Sequence, residues 1–217
     1  SNTPENIRFG TVGKPLDNVE IKISNDGEIL AKGPNIMVGY YNDKEATEEV
    51  LDNNGWFHTG DIGEFDKEGF LKITDRKKNL IVTSSGKNIA PAPLENALLH
   101  SEYIEQIVVI GDKRNFLSAL IVPLFDNVKQ YLSEKEIELS SNEAIIEYPD
   151  VIKLFENEVK LAMSKFSQFE QIKKFSLLSR QFMIEKGEMT PKMSIVRKAV
   201  EKNFQDKIEQ LYEGANE

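Results

Sequence analysis

A chain of 217 residues is long enough for one domain and part of another. Its 40% hydrophobic and 29% charged residues describe an ordinary soluble chain, neither disordered nor membrane-spanning. A net charge of −9, from 27 Lys and Arg against 36 Asp and Glu, argues against nucleic-acid binding, which calls for a basic excess. Without cysteine there is no disulfide framework, thiol nucleophile or cysteine-ligated zinc. His58 and His100 are too few for a histidine-rich metal site and read as strand-end or helix-end residues. No apolar run nears the roughly 18 residues that cross a bilayer, and no signal peptide opens the sequence. A cytoplasmic protein is therefore expected. Ser1-Asn2 resembles a residue of tag cleavage, which puts the natural boundary near Thr3.

Residues 7–83 read as short strands joined by glycine turns. Val19, Ile21 and Ile23 alternate with polar residues, and Ser24-Asn25-Asp26-Gly27 turns the chain into Glu28–Ala31. Lys44–Leu51 has helix-forming residues ahead of a break at Asn53-Asn54-Gly55. A second hairpin follows, Ile62–Phe65 and Phe70–Thr74 about the turn Asp66-Lys67-Glu68-Gly69.

From Asp75 the character changes. Pro91-Ala92-Pro93-Leu94 starts a helix that runs to about His100, with prolines where a first turn accepts them. Ile104–Ile110 and Leu117–Val122 are nearly continuous apolar runs, so their sheet should be covered on both faces at least in part. Two long amphipathic helices supply the cover. One carries Ile152, Phe155, Val159, Ala162 and Phe166; the other carries Val196, Val200, Phe204, Ile208 and Leu211. Lys173–Leu178 reads as a further strand and Glu185–Met193 as a glycine-containing loop. The fold class expected is α+β in two units: a strand-rich, β-barrel-like unit over residues 1–74, then a mixed sheet covered by helices over 75–217.

Three loops stand out chemically. Trp56-Phe57-His58-Thr59-Gly60-Asp61 sets a carboxylate after a glycine between strands, and a carboxylate can accept two hydrogen bonds from adjacent ribose hydroxyls. Asp75-Arg76-Lys77-Lys78 offers a guanidinium fork for phosphate or sugar oxygens. It precedes Thr83-Ser84-Ser85-Gly86-Lys87-Asn88, whose small residues let backbone approach a ligand. This is not a Walker-type loop, because Ile81 stands where its first glycine would be. Gly187-Glu188-Met189-Thr190-Pro191-Lys192 presents a lysine ahead of the last helix. Taken singly, each of the three is more simply a solvated turn.

Their joint order is more specific. Gly27–Tyr41, with its Gly-Glu and Gly-Tyr ends, resembles a segment of the adenylate-forming enzymes, as does Gly55–Gly63. Asp75-Arg76-Lys77-Lys78-Asn79-Leu80-Ile81 is similar to that family's hinge motif. Thr83–Pro91 resembles the long-chain acyl-CoA synthetase version, and Thr190-Pro191-Lys192 with Arg197-Lys198 resembles that branch's terminal motif. The likeness covers nearly the whole chain.

The resemblance implies the C-terminal portion of a fatty-acid–CoA ligase, which makes an acyl-adenylate from ATP and a fatty acid and then a thioester with CoA. By that analogy Asp61 binds ribose hydroxyls of ATP or AMP and Arg76 the ribose or phosphate. Asp75 is the hinge about which the C-terminal domain swings between half-reactions, and the loop around Gly86 lines the pantetheine path. The family's adenylation lysine stands three residues before an arginine. If that arginine is Arg197, its position holds Ser194, and a hydroxyl cannot replace a cation worth about 4 kcal/mol at 4 Å with an effective dielectric of 20. Either Lys192 supplies the charge, the assignment favoured, or this branch manages without it. Magnesium is expected in the full-length enzyme with ligands outside this chain; no metal site is expected within it. The chain alone should be inactive, with unpaired strand edges that invite self-association. Peripheral membrane contact stays open. The alternatives are a non-catalytic binding or regulatory module of the same fold, and a ligase for medium-chain or aryl acids.

Overall fold

Turn chemistry and strand alternation build the first part of the chain. The structure, a computed structural model, describes residues 1–4 and 6–214. It divides after Leu80 into two units. In the first, β1 (Glu20–Ile23), β2 (Glu28–Lys32), β3 (Phe57–Phe65) and β4 (Leu71–Arg76) form an antiparallel sheet in chain order. Gly27 closes the β1–β2 turn with φ +86° and Gly69 the β3–β4 turn with φ +82°, a conformation that costs glycine little. Helix α1 (Lys44–Val50) is capped by Asp43, whose side chain accepts from Ala46 N. A 3₁₀ turn over Lys77–Asn79 follows β4.

The second unit opens with a small hairpin, β5 (Ile81–Val82) and β6 (Asn88–Ile89), then α2 (Pro91–Leu98) with proline in its first turn. Its main sheet runs β7 (Ile104–Ile110), β8 (Leu117–Pro123), β9 (Ile172–Leu177), with β7–β8 antiparallel and β8–β9 parallel. Every residue of β8 is buried, as a doubly covered strand requires. Ile107, Val109, Ala119 and Ile121 face a core shared with α2, α3 (Phe125–Ser133), α4 (Asn142–Glu147) and α5 (Pro149–Met163). Val108, Ile110, Leu120 and Val122 face the opposite core, with Phe182, Val200, Phe204 and Ile208. The period of two along the strands divides the two cores.

Three expectations change in detail. The stripe from Val196 to Leu211 belongs to two helices, α6 (Arg197–Asn203) and α7 (Gln205–Tyr212), because Phe204 adopts φ −117° and ψ 24° between them. Asn203 is held there by its own amide, which donates to Glu188 Oε1 at 2.9 Å and to Lys186 O at 3.2 Å. Phe166 lies beyond the end of α5 at Met163. Helices α3 and α4 occupy a stretch in which no element was expected.

Candidate functional site

In the first unit the sheet brings Asp61 and Arg76 face to face. They are register partners across β3 and β4, and Arg76 Nε lies 2.7 Å from the Asp61 carboxylate. The Arg76 side chain remains 60% exposed, so its guanidinium is open to a ligand. Gly60, at φ +70°, bends β3 just before Asp61, whose N–H is taken by Thr59 Oγ1 at 3.1 Å.

Behind this bend lies a group that sequence reasoning missed. Glu28, only 3% exposed, accepts from Gly60 N at 3.0 Å and from Lys77 Nζ at 2.8 Å, and lies 2.9 Å from His58 Nδ1. Burial, the largest influence, favours the neutral acid, but Lys77, His58 and the Gly60 N–H together hold the Glu28 carboxyl below the usual range. Lys77 also reaches Asp26 at 2.7 Å and, with a Ser24 hydroxyl, lowers that carboxyl to about 2. One lysine thus ties the β1–β2 turn, the start of β2 and the turn after β4. The only sequence signal was a glutamate heading an otherwise buried strand.

Asp75 lies within β4, 8% exposed, and its Oδ1 accepts from Arg76 N at 2.7 Å and from Asn79 Nδ2 at 3.1 Å. The side chain therefore shapes the entry into the 3₁₀ turn.

In the second unit, Gly86 stands at the tip of the β5–β6 hairpin with φ +77° and open space where a Cβ would point. Thr83 and Gly86 close the turn, and Ser84 fastens it through its N–H to Arg114 O at 3.0 Å and its hydroxyl to Asn115 at 2.7 Å. The glycine is demanded by backbone conformation rather than by crowding.

Lys192 is at the exposed end of a second tight turn. Thr190 N donates to Ser194 O at 2.8 Å, Ser194 N to Thr190 Oγ1 at 3.2 Å, and Met193 takes φ +62°. Ser194 is exposed on the same turn. The base of this loop is anchored at Glu188. Glu188, fully buried, receives Arg180 on both oxygens at 2.7 Å, Asn203 at 2.9 Å and Met183 N at 3.0 Å. Burial, the largest influence, opposes its charge, yet these donors hold its carboxyl down at about 2. Arg197 is fixed as well: it donates to Val109 O, and to Glu95 Oε1 at 2.7 Å. Among the described residues, no group of three or more His, Asp or Glu is placed to hold a metal ion, and no helix is long and apolar enough to cross a membrane.

Residues 78–216 match the family model of the AMP-binding enzyme C-terminal domain. The chain belongs to the AMP-binding enzymes. It is 41% identical over 95% of its length to long-chain-fatty-acid–CoA ligase FadD15 of Mycobacterium tuberculosis, of which it covers 34%. Against long-chain-fatty-acid–CoA ligase 5 of Mus musculus it is 35% identical over 99% of its length, covering 32% of that protein. The chain thus spans about a third of these AMP-binding relatives. Among solved structures it is similar to O-succinylbenzoate coenzyme A synthetase (MenE) of Bacillus subtilis in complex with AMP, with a TM-score of 0.55 and 30% identity, covering 88% of this chain and 35% of that one. It shares its fold with the adenylation domain of a carboxylate reductase of Mycobacterium chelonae, with a TM-score of 0.68 at 22% identity, covering 92% of this chain and 31% of that one.

Proposed function

We propose that this chain is the C-terminal third of a long-chain fatty-acid–CoA ligase of the cytoplasm. The observation that carries the reading is the likeness to long-chain ligases along nearly the whole chain. In such an enzyme a fatty-acid carboxylate attacks the α-phosphate of ATP, expelling pyrophosphate. The CoA thiol then attacks the acyl carbonyl and AMP leaves.

Each candidate residue has a part suited to its surroundings. Asp61 accepts hydrogen bonds from the ribose hydroxyls, and Arg76 moves between Asp61 and the ribose or phosphate. Asp75 is the hinge, its side chain replacing backbone partners as the strand's end changes conformation. The Gly86 tip borders the pantetheine path. Lys192 places its ammonium beside the acid and the α-phosphate, where it neutralises charge during adenylation. A loop anchored at Glu188 and exposed at Lys192 suits that role, because only the tip must reach the substrate. Magnesium would be held by residues outside this chain, which alone would not turn over.

ATP–pyrophosphate exchange by the full-length protein tests the reading across acids of increasing chain length. Exchange should peak with long fatty acids. Lys192→Ala should lower it by roughly a hundredfold or more, the scale of losing one group that stabilises developing charge, while transfer from supplied acyl-adenylate to CoA stays near its original rate. Absence of exchange with any acid from a folded, ATP-binding protein would leave the non-catalytic module. Full exchange by Lys192→Ala would remove Lys192 from the chemistry.

A further inference from the structure

Strand β9 is the last of its sheet, paired only with β8. Leu178 N donates to Ile121 O, which turns the backbone of Lys174 and Ser176 toward β8 and that of Lys173, Phe175 and Leu177 outward. Among the described residues, no backbone group bonds to this outer side. Helices α5 and α7 stand on either side of the edge. Two cavities, of about 440 and 460 Å³, share Glu156, Lys173 and Phe175, so they are one groove along the strand. Its apolar floor and walls include Ile152, Phe175 and Leu211.

We propose that this groove docks an extended acidic segment of a partner protein, which adds to the sheet as a further strand. An exposed edge flanked by helix walls supplies the hydrogen bonds for such an addition, and pockets on either side take alternate side chains. The charge selects the partner. Lys160, Lys173, Lys174 and Lys207 line the groove against Glu147 and Glu156. Among the described residues none of the four lysines forms an ion pair. This is a local cationic surplus in a chain of net charge −9. A second copy of the chain is a poor occupant, since pairing β9 with itself would bring two copies of the lysine-lined groove together.

The test uses the 217-residue chain and a short fluorescent peptide alternating Glu with Val. The peptide should bind, bind less well as salt rises, and slow hydrogen exchange at the amides of Lys173, Phe175 and Leu177. Replacing both Lys173 and Lys174 with Glu should weaken binding by roughly tenfold or more. Phe175→Pro removes an outward N–H that makes no bond to β8, and should abolish binding with the fold retained. If that variant unfolds, the double Glu variant alone decides. Failure of the peptide to bind, or binding unaffected by the double Glu variant, overturns the proposal. So does protection of the β9 amides that grows with protein concentration without peptide, which assigns the groove to a second copy. Tighter binding to phosphatidylserine vesicles, with no β9 protection, assigns it to a membrane and overturns the proposal equally.

Discussion

Glu188 shows how a single buried carboxylate can govern a loop. It has no exposed surface, and its donors tie two places together: Arg180 and Met183 N from the preceding segment of the loop, and Asn203 from the end of α6. Glu188→Gln keeps the shape and removes the charge, leaving Arg180 with a neutral partner. The expected cost is about 3 kcal/mol, the low end for breaking a buried pair, because Arg180 keeps some solvent. The pH dependence has a definite sign. The Glu188 carboxyl titrates at about 2 when folded and 4.5 ordinarily, so the unfolded chain takes up the proton first as acid is added. Its stabilisation is complete above pH 4.5 and disappears as the pH falls toward 2. Denaturant titrations at stepped acid pH should show wild type losing more stability across that window than Glu188→Gln. Equal losses would show that the carboxylate is not the group responsible. None of this was legible in the sequence, where Glu188 is one acid in a polar loop with nothing to signal Arg180 eight residues away. Asp61 and Arg76 were legible as candidates, and the register of β3 and β4 explains why they meet.

At the scale of elements, local chemistry predicted both hairpins, α1, α2, the β7–β8 pair and β9, because each rests on turn residues or apolar runs a few positions long. The gap at Phe204 was hidden because the apolar stripe runs through it unbroken. At the break Asn203 is tied to Glu188, a tertiary bond that no helical period encodes. Helix α3 had its own signal in Val128 and Leu132, four apart and both buried, but too few apolar positions to outweigh its polar ones. Bulges are a further case. β3 shifts register between Ile62 and Gly63, and a Cβ on Gly63 would lie 2.4 Å from Lys72 O and 2.7 Å from Ile29 Cδ1. Gly63→Ala must therefore push two strands apart. We expect a loss of about 1–3 kcal/mol, seen as an earlier melt of the first unit. An unchanged melt would mean that the bulge absorbs the methyl without cost.

For the whole molecule, the two units differ in how completely they bury their apolar surface. The second unit covers its sheet on both faces. The first leaves Phe9 97%, Val38 101% and Tyr41 94% exposed, and β1 is an end strand of its sheet. Residues from Ile81 onward, expressed alone, should melt cooperatively as a monomer. The 217-residue chain should instead self-associate as concentration rises, through the apolar surface and sheet edge of its first unit. Light scattering across a wide concentration range checks both, and a monomeric full chain at every concentration would count against the second expectation.

The one tryptophan of the chain offers a way to follow the two units separately. Trp56 lies in the first unit with the Lys22 ammonium 4.0 Å from its ring centroid. Six of the seven described α-helices, α2 to α7, lie in the second. Indole emission therefore follows the unfolding of one unit while far-ultraviolet circular dichroism follows mostly the other. A single urea titration read both ways yields two independent curves without a label, and any gap between their midpoints measures how separately the units melt.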